Sequence, residues 1–119
     1  MDRRKRIRFV ERNSVTIRPA SNDSDGKKTK AHTFDISTGG ARIVAQNRFE
    51  VGSALKIRIE LDRTKQSMTL DGVVKWVRFN EDSGLHEMGV EFLNLTSSKV
   101  LALIRHLYGQ NWRTPPPVS

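Results

Sequence analysis

The chain has 119 residues and a mass of 13.6 kDa, which is enough for one hydrophobic core but not for two independent ones. Its 21 lysines and arginines against 13 aspartates and glutamates give a net charge of +8, which points to an anionic ligand, a nucleic acid or a membrane face as partner. The absence of cysteine excludes disulfides, thiolate metal sites and cysteine nucleophiles. Because no apolar run approaches the roughly 20 residues that span a bilayer, and no signal peptide follows the basic start, we predict a soluble cytoplasmic domain without membrane insertion.

Half of the excess charge lies in residues 1–12, where six arginines and lysines stand against Asp2 and Glu11. Such a segment cannot bury itself, so we predict an exposed arm that is mobile unless a partner orders it. Taken on charge alone, a solubilising tail or a nonspecific polyanion binder is the simpler interpretation.

After the arm, alternation of apolar and polar residues predicts six strands. They lie around residues 14–19, 29–36, 41–45, 55–61, 68–79 and 87–92. The fifth is longer than a usual strand, and Gly72 is expected to let it bend, as strands do at the corner of a small barrel. Six short strands at regular spacing indicate a mainly β fold, a six-stranded antiparallel β-barrel.

A helix is predicted after the last strand, because apolar residues recur there at the spacing of a helix packed on a core: Val100, Leu103, Ile104, Leu107 and Tyr108. Thr96 or Ser97 is expected to cap its start and Gly109 to end it. The predicted organisation is therefore an arm over 1–12, a barrel with a C-terminal helix over 13–109, and a flexible proline-rich tail over 110–119.

No catalytic or metal site is predicted. His32, His86 and His106 fall in a strand, a turn and a helix without metal-ligand spacing, and are expected to be surface or half-buried residues. No phosphate-binding glycine loop, nucleophile elbow or zinc-binding helix motif occurs. We therefore predict a binding protein rather than an enzyme, with no cofactor.

Two local motifs need more explanation than surface charge. One is Arg4-x-x-x-Arg8 in the arm, with Arg8-x-x-x-Arg12 as a second match in the same segment. The other runs from Asp35 to Gly40, where a strand end turns into two glycines. Each motif is weak alone, because the arginine spacing arises by chance and a plain β-turn uses the same residue types.

In this order and ahead of this strand pattern, the two motifs resemble those of the PilZ domain family. That family has an Arg-x-x-x-Arg before its first strand and an Asp/Asn-x-Ser-x-x-Gly turn between its second and third. The matching residues are Arg4, Arg8, Asp35, Ser37 and Gly40. The segments 73–77 and 89–92 also look like strand signatures of the family, so the likeness spans roughly residues 3–108.

The resemblance implies a six-stranded barrel with a C-terminal helix that binds cyclic di-GMP, a ligand that can bind as a stacked, intercalated dimer. Arginine suits this ligand because its planar fork can bond guanine O6 and N7, stack on a base or clamp a phosphate. Asp35 is expected to accept from a guanine edge and Ser37 to bond a base or phosphate, while Gly40 lets the backbone come close.

Further contacts are expected from Arg3, Arg12 and Gly39, and the working pair is Arg4 with Arg8 or Arg8 with Arg12. Trp76 could offer a stacking surface, but its apolar neighbours favour a place in the barrel core.

The leading hypothesis is thus a cyclic di-GMP receptor module. Its arm orders across the nucleotide against the turn at residues 35–40 and switches an effector protein or attached domain. No specific nucleic acid is expected as partner. One alternative is a small basic barrel that binds RNA or single-stranded DNA through the same arm, against which the strands show few outward aromatics: Trp76, Phe79 and Phe92 are expected to lie inward or beside turns. Another is a PilZ-type module that binds no nucleotide and only docks proteins.

Overall fold

The computed structural model describes residues 8–20, 28–61 and 65–113, with side chains described as far as Tyr108. Its strands are β1 (Phe9–Val10), β2 (Ser14–Pro19), β3 (Thr29–Ile36), β4 (Gly40–Ala45), β5 (Ala54–Leu61), β6 (Gln66–Asn80) and β7 (Leu85–Leu93). One helix follows, α1 (Ser97–Arg113). It is not long and apolar enough to cross a membrane, and no other helix occurs in these ranges.

Strands β2 to β7 close into a six-stranded antiparallel barrel, as predicted. The order around the barrel is β3-β2-β5-β6-β7-β4, and the pairing of β3 with β4 joins the two ends. The additional strand β1 pairs with the end of β3, where Phe9 lies opposite Ile36. Closure leaves the side chains of each strand alternating between a filled interior and the outer wall.

The core lies inside the barrel because the apolar residues of most strands recur every second position. In β5, Leu55, Ile57, Ile59 and Leu61 are all buried while the residues between them face outward. The hydrophobic effect at about 25 cal/mol per Å² makes this burial the main favourable term of the fold.

Helix α1 packs on this core through Leu103 and Leu107, which are buried in the same cluster. Thr96 caps the start of the helix, since its hydroxyl accepts a hydrogen bond of 3.2 Å from the Lys99 backbone N–H. The prediction that Gly109 ends the helix was wrong, because α1 continues to Arg113. A glycine inside a helix costs only about 1 kcal/mol relative to alanine, so a favourable helix can run through it. Residues 114–119 of the predicted tail lie outside the described part.

The segment after Arg8 belongs to the barrel rather than to a free arm. The Phe9 ring packs edge-on against Tyr108 of α1, with centroids 5.1 Å apart, and joins the apolar core.

Glu11 lies 2.7 Å from the imidazole Nε2 of His106. His106 is 1% exposed, so the expectation of a surface or half-buried histidine was wrong. Its carboxylate partner makes burial tolerable, and that partner lies 95 residues earlier in the sequence.

Strand β6 carries the main irregularity of the barrel. Its pairing with β7 shifts register between Val74 and Trp76, so Lys75 is an extra residue on the β6 side. Such a bulge re-aims the side chains beyond it. Val74 is 1% exposed, whereas Lys75 and Trp76 both lie on the outer wall.

Candidate functional site

Two adjoining cavities open on the outer wall of the barrel, beside the turn that joins β3 to β4. The first has a volume of about 240 Å³ and is lined by Arg8, Ser37, Gly39, Gly40, Lys75, Trp76, Gly89, Val90 and Glu91. The second, of about 270 Å³, is lined by Arg8, Asp35, Ala41, Arg42, Trp76 and Gly89. Arg8, Trp76 and Gly89 border both cavities.

Asp35 is the electrostatic centre of this site. Its Oδ1 accepts a hydrogen bond of 2.8 Å from Arg8 Nη1, and its Oδ2 accepts one of 3.2 Å from Arg42 Nη2. The Asp35 side chain is only 10% exposed, whereas that of Arg8 is 47% exposed. A desolvated carboxylate between two guanidiniums is strongly held, because charge-assisted hydrogen bonds are the strong ones. The register of β1 on β3 brings the two motifs together, with Val10 opposite Asp35.

The turn between β3 and β4 is fixed by Ser37. The Ser37 backbone N–H donates to the Gly40 carbonyl at 2.8 Å, and its hydroxyl accepts from the Gly39 N–H at 3.2 Å. The same hydroxyl lies 3.3 Å from the Gly40 carbonyl, to which it donates. The one hydroxyl proton of Ser37 is therefore used inside the turn, which gives this residue a structural role at the rim of the first cavity.

Gly40 is needed for a close approach between strands. A Cβ atom placed there would lie 2.3 Å from the carbonyl oxygen of Val90 in β7, a contact that backbone atoms cannot relieve without moving. Among the described glycines only Gly52 and Gly84 have positive φ, so Gly40 is demanded by space and not by a left-handed conformation. Gly39 contributes its carbonyl, which accepts from the Phe92 N–H at 2.9 Å.

Trp76 lies at the site and not in the core, where the sequence pattern had placed it. Its side chain is 41% exposed and borders both cavities. The bulge after Val74 explains the error, because an unbroken alternation would have turned Trp76 inward with Val74. The indole lies over Gly89, its partner on β7, where a Cβ would come within 2.0 Å of the indole Nε1.

Gly89 was not predicted as a site residue, although its position inside a strand was a signal in the sequence. A glycine inside a strand marks a bulge or a close approach of another group. Here it makes the floor on which the indole rests. Phe79, also expected inward or at a turn, is 52% exposed on β6, whereas Phe92 is buried as expected.

A chain of alternating charges extends the site along the outer wall. Arg42 stacks over the Phe34 ring at 4.2 Å from its centroid and also lies 3.9 Å from Glu87. Glu87 accepts a hydrogen bond of 2.6 Å from Arg78, and this bond holds the pKa of the Glu87 carboxyl below its ordinary value. The described cations at the site, Arg8, Arg42 and Lys75, thus each lie within ion-pair distance of a carboxylate.

The other arginines predicted to contact the ligand lie apart from these cavities or outside the described residues. Arg3 and Arg4 belong to the second group. Arg12 is exposed and borders neither cavity; it lies near His32, whose pKa is lowered first by burial and then by the charge of Arg12. Within the described ranges, no three histidine or acidic side chains come together in a way that could hold a metal ion.

Fold and site define a small antiparallel β-barrel with an arginine–aspartate pair at the edge of an outer-wall cavity. The model of the PilZ domain matches residues 2–109, and the chain belongs to the PilZ domain family. The family resemblance drawn from the two motifs is therefore confirmed. No curated protein is similar enough in sequence to count as a match.

Several solved structures share the fold. The Bacillus subtilis inhibitor of motility MotI/DgrA is 19% identical and superposes with a TM-score of 0.75 over 97% of this chain and 54% of that one. Escherichia coli YcgR in complex with c-di-GMP is 14% identical, with a TM-score of 0.76 over 96% of this chain and 48% of that one. The PilZ domain of YcgR with c-di-GMP is 13% identical, with a TM-score of 0.69 over 95% of both chains. This chain therefore spans about half the length of the MotI/DgrA chain and of the YcgR chain in its complex with c-di-GMP.

Proposed function

We propose that this protein is a receptor for cyclic di-GMP and acts by binding rather than by catalysis. The observation that carries the proposal is the 2.8 Å ion pair between Arg8 and Asp35, which joins the first motif to the second at the edge of the two cavities. Membership of the PilZ family and the fold shared with c-di-GMP complexes of YcgR support the choice of ligand.

The charges at the cavity suit a ligand that carries both phosphates and guanines. Arg8 is exposed enough to turn toward a ligand, while Arg42 can keep hold of Asp35 when Arg8 moves. A carboxylate has about four acceptor positions, so Asp35 can also accept from the N1–H and N2–H₂ edge of a guanine. Arg8 can then donate to guanine O6 and N7 or to a phosphate, contacts worth about 1–3 kcal/mol when bidentate.

Trp76 supplies the apolar surface of the site. Its indole is supported from below by Gly89 and borders both cavities, so a base can stack on it beside Arg8. Two cavities that share these residues suit a ligand with two like halves, or a stacked pair of ligands. Ser37, Gly39 and Gly40 form the polar rim, with Ser37 acting mainly by holding the turn.

The basic arm completes the proposed mechanism. Residues 1–7 directly precede Arg8, so Arg4 and Arg3 are within reach of a ligand held beside Arg8, whereas Arg12 lies by His32. Ordering such a segment costs about 1–2 kcal/mol per residue, which consumes part of the contact energy but creates a new surface. That surface is what an effector protein or an attached domain would recognise.

One observation favours RNA or single-stranded DNA as the ligand of this site, and another argues against it. Trp76 and Phe79 are exposed and could stack with bases. The described cations that border the cavities are already paired with carboxylates, however, so few of them are free for the repeated phosphates of a polynucleotide. A small nucleotide whose guanine edge pairs with Asp35 needs fewer such contacts.

Isothermal titration calorimetry with cyclic di-GMP tests the proposal. We expect the wild-type chain to bind and Arg8→Ala to bind about 10- to 100-fold more weakly, since one charged bidentate contact is lost. Arg48→Ala is the matched control, because it removes an equal charge from an exposed position that borders neither cavity. Absence of wild-type binding, or equal affinities for Arg8→Ala and Arg48→Ala, would overturn the proposal.

A further inference from the structure

A second cationic surface lies on the outer wall of β2, β3, β5 and β6, and we call it the basic face. It surrounds a shallow cavity of about 200 Å³ that shares no lining residue with the two cavities beside Arg8. The basic face consists of Thr16, Arg18, Lys28, Lys30, Lys56, Arg58 and Thr69. Lys30 joins the six cavity-lining residues because it is exposed and pairs with Thr16 across the strands.

The strand register arranges this face in rows. One row crosses four strands, because Lys30 pairs with Thr16, Thr16 with Arg58 and Arg58 with Thr69. A second row contains Arg18 opposite Lys56, and Lys28 lines the same groove. Outward residues on one strand repeat at about 7 Å and neighbouring strands are about 5 Å apart, so the cations form a grid.

The charge of the basic face is only partly compensated. Lys56 donates to Asp71 at 2.5 Å and Arg58 pairs with Glu60 at 2.8 Å. Arg18, Lys28 and Lys30 are exposed, and they form no salt bridge with any carboxylate in the described ranges. Cations without an acidic partner among the described residues are available to an external anion, and their mutual repulsion falls when one binds.

We propose that the basic face binds the sugar–phosphate backbone of a duplex nucleic acid without reading its bases. Arginine, lysine and threonine are side chains that donate to phosphate oxygens, and the grid repeats at intervals comparable to those between phosphates. The face contains no aromatic residue, so a single strand would find no stacking surface there. This proposal does not depend on cyclic di-GMP binding, which concerns other residues.

The proposal that the basic face binds duplex nucleic acid is tested by fluorescence anisotropy. The affinity of the full chain is measured for short labelled DNA duplexes of two unrelated sequences over a series of salt concentrations. We expect equal affinity for both sequences and a steep fall with salt. In the double variant Arg18→Ala/Lys30→Ala the slope of log affinity against log salt should decrease by about 2, since each phosphate contact contributes about 0.9. If affinities converge near 1 M salt, this corresponds to about 60-fold weaker binding at about 0.1 M.

The matched control is Arg48→Ala/Arg105→Ala, which removes the same charge from exposed positions outside the basic face. Equal losses in the two double variants would overturn the proposal, because bulk charge alone would then explain binding. Tighter binding of a single-stranded oligonucleotide, or equal competition by polyglutamate or by phosphatidylglycerol vesicles, would also overturn it. Arg18 and Lys30 border neither cavity beside Arg8, so Arg18→Ala/Lys30→Ala should bind cyclic di-GMP with wild-type affinity in calorimetry. A failure of duplex binding can therefore be told apart from a failure of the cyclic di-GMP proposal.

Discussion

The site beside Arg8 and the basic face both present cations on the outer wall of the barrel, but they hold these cations in different ways. At the site, Arg8 and Arg42 converge on one carboxylate that is 10% exposed, with an indole and a tight turn beside it. On the basic face, cations stand in open rows and several have no described acidic partner. Fixed geometry favours a ligand of one shape, whereas an open grid favours any regular array of phosphates. Net charge alone does not distinguish these two arrangements.

The largest expected effect comes from removing, in turn, a carboxylate that pairs with the cations of each region. Asp35→Ala should weaken cyclic di-GMP binding about 100-fold or more, since both Arg8 and Arg42 lose their anchor, and should leave duplex binding unchanged. Asp71→Ala should do the opposite, strengthening duplex binding by freeing Lys56 and leaving the nucleotide unaffected. Calorimetry and anisotropy on both variants measure this. The distinction between the two regions fails if either variant alters both ligands alike.

A somewhat smaller loss is expected at the aromatic surface. Trp76→Ala should weaken cyclic di-GMP binding about 10-fold or more, because stacking of a base on an aromatic ring is worth about 1–3 kcal/mol. Phe79→Ala is the control on the same strand, since Phe79 is 52% exposed but borders neither cavity. Equal affinity of the two variants for the nucleotide in calorimetry would contradict a stacking role for Trp76.

Gly89→Ala tests the position of the Trp76 indole without removing any side chain that is proposed to contact the ligand. The added methyl would overlap the indole Nε1 at 2.0 Å, so Trp76 must move off the strand. We expect weaker nucleotide binding, a shifted tryptophan emission, and a destabilisation of about 1–3 kcal/mol from overpacking. Duplex binding should not change. Wild-type emission together with wild-type affinity would contradict the assigned position of the indole.

The smallest effect expected is on acid stability. Hydrogen bonds from Lys56 and Arg78 lower the pKa values of Asp71 and Glu87 respectively in the folded chain. Both carboxylates therefore stabilise the fold above their unfolded pKa values, and this contribution is lost as pH falls from about 5 downward. Chemical denaturation across this range should show a shallower decline in Glu87→Gln. An unchanged profile would show that the Arg78 contact contributes nothing measurable.

The barrel was predictable from sequence because the apolar residues of most of its strands recur with a period of two. The alternation in β5 has no fault, and each of its leucines and isoleucines is buried. The start of α1 was equally predictable, since Thr96 acts within its own turn. The end of α1 was not predictable, because the helix continues past Gly109 to Arg113.

The site was predictable where its chemistry is local and not where it depends on strand pairing. Asp35, Ser37 and Gly40 lie within six residues of one another in the chain, and their spacing identifies the turn. Trp76 was misplaced because a single extra residue in β6 reverses the direction of the side chains beyond it. The burial of His106 depends on Glu11, a contact between the two ends of the chain that no local pattern reveals.

The central claim is that cyclic di-GMP binds between Arg8 and Trp76, and nuclear magnetic resonance of the labelled chain tests it most directly. The indole N–H signal of Trp76, assigned through Trp76→Phe, should shift and saturate on titration, together with the backbone signals of Ser37, Gly39 and Gly40. Signals from β2 and β5 on the basic face should stay in place. A titration that leaves the Trp76 signal unmoved, or that moves the basic face instead, would contradict the account.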